Sequence, residues 1–411
     1  MKNAIIFPAV FLFFCSVSFG QTVNTGELYV SPFTEFSTLS DFENKDSGSF
    51  FNDGITFFYS NFDNEGQVDY YQEEGQSQFL GFAPQMISGH GDTYFSNILF
   101  DNNSSGTPFL LEAAINAEAE VDFRDGIIDN RHYGGSFTFG ETAGYKGVSN
   151  NSHVDGPVMK TGNTSFEYPI GNKGYYRKAG VTGIETGSPT YKATYFLENA
   201  DAQYPLLSKP DIIEGINNAE YWKIEPAEVD TELVVTLSWN ENTTPGFLLE
   251  NPEAFHIVRW DEQQQLWVDE GGVVDEWNNS VSAAVSSFGI FTLATVETRD
   301  VLPCQLAVYN AITPNNDGQN DYFMIDQLNN GGCAENISVK IFNRWNVKVF
   351  ETENYGKAGN VFDGYSDGRG TLGSDQLPTG TYFYILEFEY STAEGAKKTY
   401  QQQGYLYLNG N

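Results

Sequence analysis

A chain of 411 residues with 55 Asp and Glu against 21 Lys and Arg carries a formal charge of −34. That balance excludes nucleic-acid and anionic-membrane binding, both of which need basic patches. The length allows about three domains at ~150 residues each, and the acidity is uneven: residues 22–300 hold 13 Lys and Arg against 43 Asp and Glu, residues 301–411 hold 7 against 12.

Residues 1–20 carry Lys2, an apolar run from Ala4 to Phe14 and a small-residue exit, Ser18-Phe19-Gly20, which is the pattern of a secretory signal peptide cut after Gly20. Cys15 lacks the small preceding residue that lipidation requires. No later run approaches the ~20 apolar residues of a transmembrane helix.

From residue 21 to 155 short strands alternate with Asn/Asp-Gly punctuation, as at Phe51-Asn52-Asp53-Gly54 and Phe62-Asp63-Asn64-Glu65-Gly66, and aromatics recur just before each turn. A period near twenty residues, clearest in Asn44 and Asn64, predicts a β-solenoid-like cargo region in which each coil buries its apolar residues against the next. A meandering β-sandwich is the alternative. No window keeps apolar residues at helical spacing for three turns. Val154-Asp155-Gly156-Pro157 places a boundary before residues 156–298, where runs such as Leu233-Val234-Val235-Thr236-Leu237 and Phe255-His256-Ile257-Val258-Arg259-Trp260 predict an antiparallel β-sandwich.

The last unit, residues 304–411, has the strongest punctuation. It opens on Thr313-Pro314-Asn315-Asn316-Asp317-Gly318-Gln319-Asn320-Asp321, a tight polar loop. Ile337, Val339, Ile341, Val347 and Val349 then keep one parity on either side of Asn343-Arg344-Trp345-Asn346, as half-buried strands do. A Leu377-Pro378-Thr379-Gly380 turn feeds a strand of β-branched and aromatic residues, and a final strand runs over residues 403–408.

Candidate chemistry is sparse. His90, His132, His153 and His256 stand at no metal-ligand spacing, and neither His-Glu-x-x-His nor Gly-x-Ser-x-Gly occurs, so no catalytic residue is assigned and the chain is expected not to be an enzyme. Asn315, Asp317 and Asp321 could ligate calcium, a hard cation that takes carboxylate and amide oxygens; consecutive Asx turns without metal explain the same residues. Cys304 and Cys333 bracket that loop, and in an exported protein they read as a disulfide, with two independent thiols as the alternative.

Three ordered motifs carry a resemblance: Thr313-Pro314-Asn315-Asn316-Asp317-Gly318-Gln319-Asn320-Asp321, then Ile341-Phe342-Asn343-Arg344-Trp345-Asn346-Val347-Lys348-Val349-Phe350, then Phe362-Asp363-Gly364 followed by Leu377-Pro378-Thr379-Gly380-Thr381-Tyr382. Together they resemble the gliding-motility-associated C-terminal domain of Bacteroidetes, the type B sorting domain of the type IX secretion system. Asn346 stands where the family usually has Gly and Phe362 where it usually has Trp; Asn tolerates the left-handed turn conformation and Phe keeps an aromatic anchor. The stretch 154–171 is similar to segments that follow solenoid-like regions in other cargo of this route.

The resemblance implies an Ig-like β-sandwich sorting domain, export through the type IX translocon, a PorP/SprF-like outer-membrane barrel as partner, and a secreted, outer-membrane-associated cell-surface location with a structural or adhesive role linked to gliding. Arg344, Trp345, Gly364, Pro378 and Gly380 are its sorting and partner residues, with core packing as the alternative for Trp345. A surface polysaccharide ligand or polysaccharide degradation is the other functional class. The whole chain is thus expected to be all-β.

Overall fold

The computed structural model describes residues 20–409, apart from 73–74, 163, 184–188, 211, 227–232, 286, 297–305, 310, 316–319, 328–333, 358, 367–375 and 392–395. Residues 1–19 of the expected signal peptide, both Cys304 and Cys333, and Asp317 therefore lie outside the described residues. The fold is nearly all β, with 55% strand and 3% helix, and it begins with a solenoid of about 7 turns.

Three strands per coil build three parallel sheets. One sheet stacks Thr22–Asn24, Phe42–Asn44, Phe62–Asn64, Gln85–Ser88, Phe109–Leu111, Ile128–Asp129, Val154–Asp155 and Ile170–Asn172. The second runs from Glu27–Val30 to Val158–Thr161, and the third from Glu35–Thr38 to Gly144–Lys146. Phe42 pairs with Phe62 and Asn44 with Asn64, so the twenty-residue period of the sequence is the length of one coil and the solenoid alternative is the one realised.

Alternation sends one side chain inward at every second position, and the inward residues are largely phenylalanine. Phe42, Phe50, Phe58, Phe62, Phe79, Phe100, Phe109 and Phe123 are fully buried. Successive coils stack their rings, with centroids 5.3 Å apart for Phe58 and Phe79, 5.4 Å for Phe79 and Phe100, and 6.2 Å for Phe100 and Phe123. These separations suit offset aromatic packing, which adds to the hydrophobic gain of burying each ring. At one corner the polar counterpart is an asparagine ladder: Asn24 Nδ2 donates to Asn44 Oδ1 at 2.8 Å, Asn44 Nδ2 to Asn64 Oδ1 at 2.7 Å, and Asn64 Nδ2 to Thr93 Oγ1 at 2.8 Å. Glycine closes the same corner because nothing larger fits: a Cβ on Gly66 would lie 2.1 Å from the Gly48 carbonyl oxygen, and one on Gly91 2.1 Å from that of Gly66.

The solenoid runs into the middle unit without a break in hydrogen bonding. Val158–Thr161 pairs parallel with Ser136–Phe139 on one side and antiparallel with Thr190–Phe196 on the other. From there the sheet continues through Tyr221–Pro226, Gly289–Val296, Phe255–Asp261 and Leu266–Asp269. A second antiparallel sheet, ordered Phe166–Tyr168, Ala179–Gly183, Leu233–Ser238, Ser280–Val285 and Val273–Asp275, faces it, and one apolar core extends from Val30 to Leu293. The sandwich thereby covers the open end of the solenoid: Phe166 packs on Phe139 at 5.1 Å and on Tyr145 at 5.8 Å.

A buried ion pair lies in this sandwich. Arg177 directs Nε to Glu220 Oε2 and Nη2 to Glu220 Oε1, each at 3.1 Å, and the Tyr195 and Thr244 hydroxyls donate to the same carboxylate at 2.6 Å. Burial alone would raise the Glu220 pKa, but the adjacent Arg177 guanidinium and these hydrogen bonds hold it below the usual carboxylate value.

The terminal unit is a five-stranded sheet ordered Ala311–Ile312, Lys397–Leu408, Gly380–Ser391, Ala334–Phe342 and Lys348–Thr352, with a separate ribbon of Leu306–Val308 and Ile325–Gln327. Val339, Ile341, Val349, Leu386 and Leu408 fill its core beneath Leu306 and Phe323, as the parity of the sequence predicts.

Candidate functional site

The functional elements separate into a terminal module that bears the recognition motifs and a solenoid that bears exposed aromatics. In the module, the turn after Ala334–Phe342 is ordered by Asn343, whose Oδ1 accepts from the Trp345 and Val347 amides at 3.0 Å each. Asn346 closes the turn at φ 56°, the left-handed conformation that lets Asn stand in for Gly. The turn leaves Trp345 58% exposed, with the Arg344 guanidinium carbon 4.3 Å from its ring centroid. The core alternative for Trp345 is therefore overturned: the indole stands at the tip of a five-residue turn, 343–347, between two antiparallel strands and faces solvent.

The remaining motif residues shape the module's interior. Phe362, in the place usual for Trp, is fully buried and packs on Phe350 at 5.3 Å. Gly364 has φ 85°, and a Cβ there would meet Leu408 Cδ1 and Pro314 Cγ at 3.0 Å, so it permits the polar loop to approach the last strand. The Pro378 carbonyl accepts from the Tyr382 hydroxyl at 2.8 Å, and Gly380 starts the long strand Gly380–Ser391. Within the polar loop, Thr313 N donates to Asn320 O at 2.7 Å and Asn320 has φ 54°. Asn315 is exposed and Asp321 half-buried; the third residue of the expected calcium set, Asp317, is outside the described region.

The opposite face of the module's sheet docks on the sandwich. Phe342, Phe383 and Ile385 form one buried cluster with Val234, Val273 and Ala284. Gln403 Nε2 donates to the Glu270 carbonyl at 3.1 Å while its Oε1 accepts from the Ala284 amide at 3.2 Å, and Asn346 Nδ2 donates to Thr236 Oγ1 at 3.2 Å. Sequence reading missed this contact, although Phe342 and Phe383 fall on the parity opposite the module's own core and so signal a second apolar face.

On the solenoid, the second sheet turns its outward residues to solvent. Phe51 stacks on Tyr71 at 4.4 Å with an interplanar angle of 15°, and Tyr29 meets Tyr71 edge-on at 5.5 Å. The group is held by Asp53, itself only 3% exposed: its carboxylate accepts the Tyr29 hydroxyl at 2.9 Å and the Tyr71 and Gln72 amides at 2.8 Å. The hydrogen bond to Asp53, more than burial, raises the Tyr29 pKa. Tyr94 is exposed on the same sheet, in the strand that pairs with Gln67–Asp69. These aromatics are missed in the sequence because Tyr and Phe there look alike whether they face in or out.

The histidines sit in separate local pairs. His132 Nδ1 lies 2.8 Å from Asp129 Oδ2, and His256 Nδ1 lies 2.8 Å from Asp269 Oδ1. His90 is exposed, and His153 is buried, which lowers its pKa against the raising effect of the Ser149 carbonyl. Among the described residues no group of three or more His, Cys, Asp and Glu is arranged to hold a metal ion, and no helix is long and apolar enough to cross a membrane.

Residues 306–408 match the CHU_C type IX secretion signal domain. No curated protein matches the chain. The terminal module is thus a C-terminal sorting domain of the type IX secretion system, and it marks the chain as cargo exported by that machinery.

Proposed function

We propose that this protein is a cell-surface adhesive cargo: the terminal module takes it through the type IX translocon and retains it at the outer membrane, while the solenoid projects as the contacting part, in a role linked to gliding. The observation that supports this reading is the continuity of the body. One core runs from Val30 to Leu293 and the sorting module docks directly upon it, an arrangement suited to transmitting force from an anchor to an exposed rod. The partner proposed at the membrane is a PorP/SprF-like barrel, met by the exposed Arg344 and Trp345 tip and by Lys348–Thr352, the last strand of its sheet among the described residues. Calcium in the polar loop and a disulfide between Cys304 and Cys333 belong to the same proposal as stabilisers of an extracellular domain.

Surface protease shaving with cell fractionation tests it. The intact protein should be cleaved from outside in a wild-type strain and should accumulate in the periplasm in a strain lacking a working translocon, as should a truncation ending at residue 303. Equal exposure in both strains would end the sorting reading. Cells displaying the protein should hold to a polysaccharide-coated surface better than cells lacking it; no difference would end the adhesive one.

A further inference from the structure

We infer that the second sheet of the solenoid carries a binding strip for a neutral, linear β-1,4-linked hexopyranose chain, with the Phe51/Tyr71 stack and Tyr94 as its two sugar-stacking positions. This inference rests on the surface-display reading and names the ligand class of the displayed part.

Exposure and order coincide here. Tyr71 is 61% exposed, Tyr29 41% and Tyr94 40%. Long aromatic side chains left in solvent ordinarily sample several rotamers. Here the buried Asp53 carboxylate fixes the Tyr29 hydroxyl and the Tyr71 backbone together, and Phe51 lies flat against one face of Tyr71. The entropy of ordering the platform is therefore met within the fold and not at binding. A pyranose ring presents a face of weakly positive C–H groups, which suits the negative face of an aromatic ring.

The spacing selects an extended chain. Phe51 lies in Ser49–Asn52 and Tyr94 in Asp92–Phe95, and Gln67–Asp69 pairs with both strands. Two steps of a parallel sheet separate the stacking positions by about 10 Å. In a two-fold β-1,4-linked chain every second sugar turns the same face to one side, a repeat of similar length. The strand between them contributes the outward Gln67 and Asp69, polar groups of the kind that hydrogen-bond sugar hydroxyls.

Charge selects a neutral chain. The outward positions of Glu27–Val30, Ser49–Asn52, Gln67–Asp69, Asp92–Phe95 and Ala114–Ala117 include Glu27, Asp69 and Asp92 and no Lys or Arg. A uronic-acid polymer or a nucleic acid would be repelled along the whole strip.

Calorimetric titration of the full-length secreted protein with cellohexaose, hexagalacturonate and maltohexaose tests the assignment. Cellohexaose should bind and the other two should not. Tyr71→Ala and Tyr94→Ala should each weaken cellohexaose binding by about tenfold or more at an unchanged melting temperature. Tyr365→Ala, an exposed tyrosine of the terminal module, should have no effect. Absence of cellohexaose binding, equal binding of hexagalacturonate or maltohexaose, or binding indifferent to both tyrosine variants would overturn it. Protease shaving of cells expressing the variants reads display separately, so a failure of sorting is distinguishable from a failure of the strip.

Discussion

Asn44 donates from Nδ2 to Asn64 Oδ1 at 2.7 Å across one full coil, and both side chains are fully buried. Each amide acts as acceptor toward one neighbour and donor toward the next, so the ladder satisfies polar groups that a shorter side chain would strand. Asn44→Ala removes both ladder bonds, leaving Asn24 Nδ2 only the Ser49 carbonyl at 3.2 Å and Asn64 Oδ1 only the Gly66 amide at 3.1 Å. The expected loss is about 2 kcal/mol of unfolding free energy, read by urea denaturation. A loss within 0.5 kcal/mol, the typical range for surface changes, would mean that the ladder contributes little.

That ladder was legible because coil length and residue spacing coincide: the pairing of Asn44 with Asn64 is written directly into a twenty-residue interval. The hairpin of the terminal module was legible for a similar reason, since Val339, Ile341 and Val349 keep one parity and all point inward. Parity reports only that a residue faces one side. It did not reveal that Phe342 and Phe383 also bury against Val234 and Ala284, because contact between units far apart in sequence leaves no local period. Nor could it place Trp345, whose exposure follows from a turn geometry fixed by Asn343. The continuity of the sheet at Val158–Thr161 was hidden likewise, since one strand can pair parallel on one edge and antiparallel on the other without any change in its own pattern.

Glu220→Gln should be the most damaging single change in the sandwich. It removes the charge that Arg177 faces in a buried site, with a cost of about 3–5 kcal/mol typical of an orphaned buried ion. The pH dependence has a definite sign. Because the folded carboxyl titrates below its ordinary value, its stabilising contribution is present above the ordinary glutamate value near ~4.3 and is lost as pH falls through the folded value. Denaturation midpoints measured through the acid range should show this decline in the wild type and a shallower one in Glu220→Gln. Identical slopes would assign acid sensitivity to other groups.

Docking of the sorting module predicts coupled unfolding. Phe342→Ala removes the ring that packs on Phe383 at 5.7 Å and opens the apolar cluster shared with the sandwich. Calorimetry should then resolve a separate, lower transition for residues 304–411, and small-angle scattering should report a larger radius of gyration. If the melting profile and dimensions stay unchanged, the module is held by the Gln403 and Asn346 hydrogen bonds instead.

Trp345 offers the sharpest separation of stability from recognition. Its indole is mostly in solvent and its backbone, not its side chain, completes the Asn343 turn, so Trp345→Ala should change stability by no more than about 0.5 kcal/mol. As a partner contact it should matter far more, since an exposed Trp ordered by a stacked Arg is the type of residue that dominates interfaces. Surface display of Trp345→Ala, quantified by shaving, should fall severalfold with matching periplasmic build-up, and Arg344→Ala should show a smaller loss through the freed indole. Display at wild-type levels with unchanged stability would show that the export machinery reads another part of the module, with the outer edge strand Lys348–Thr352 the next surface to test.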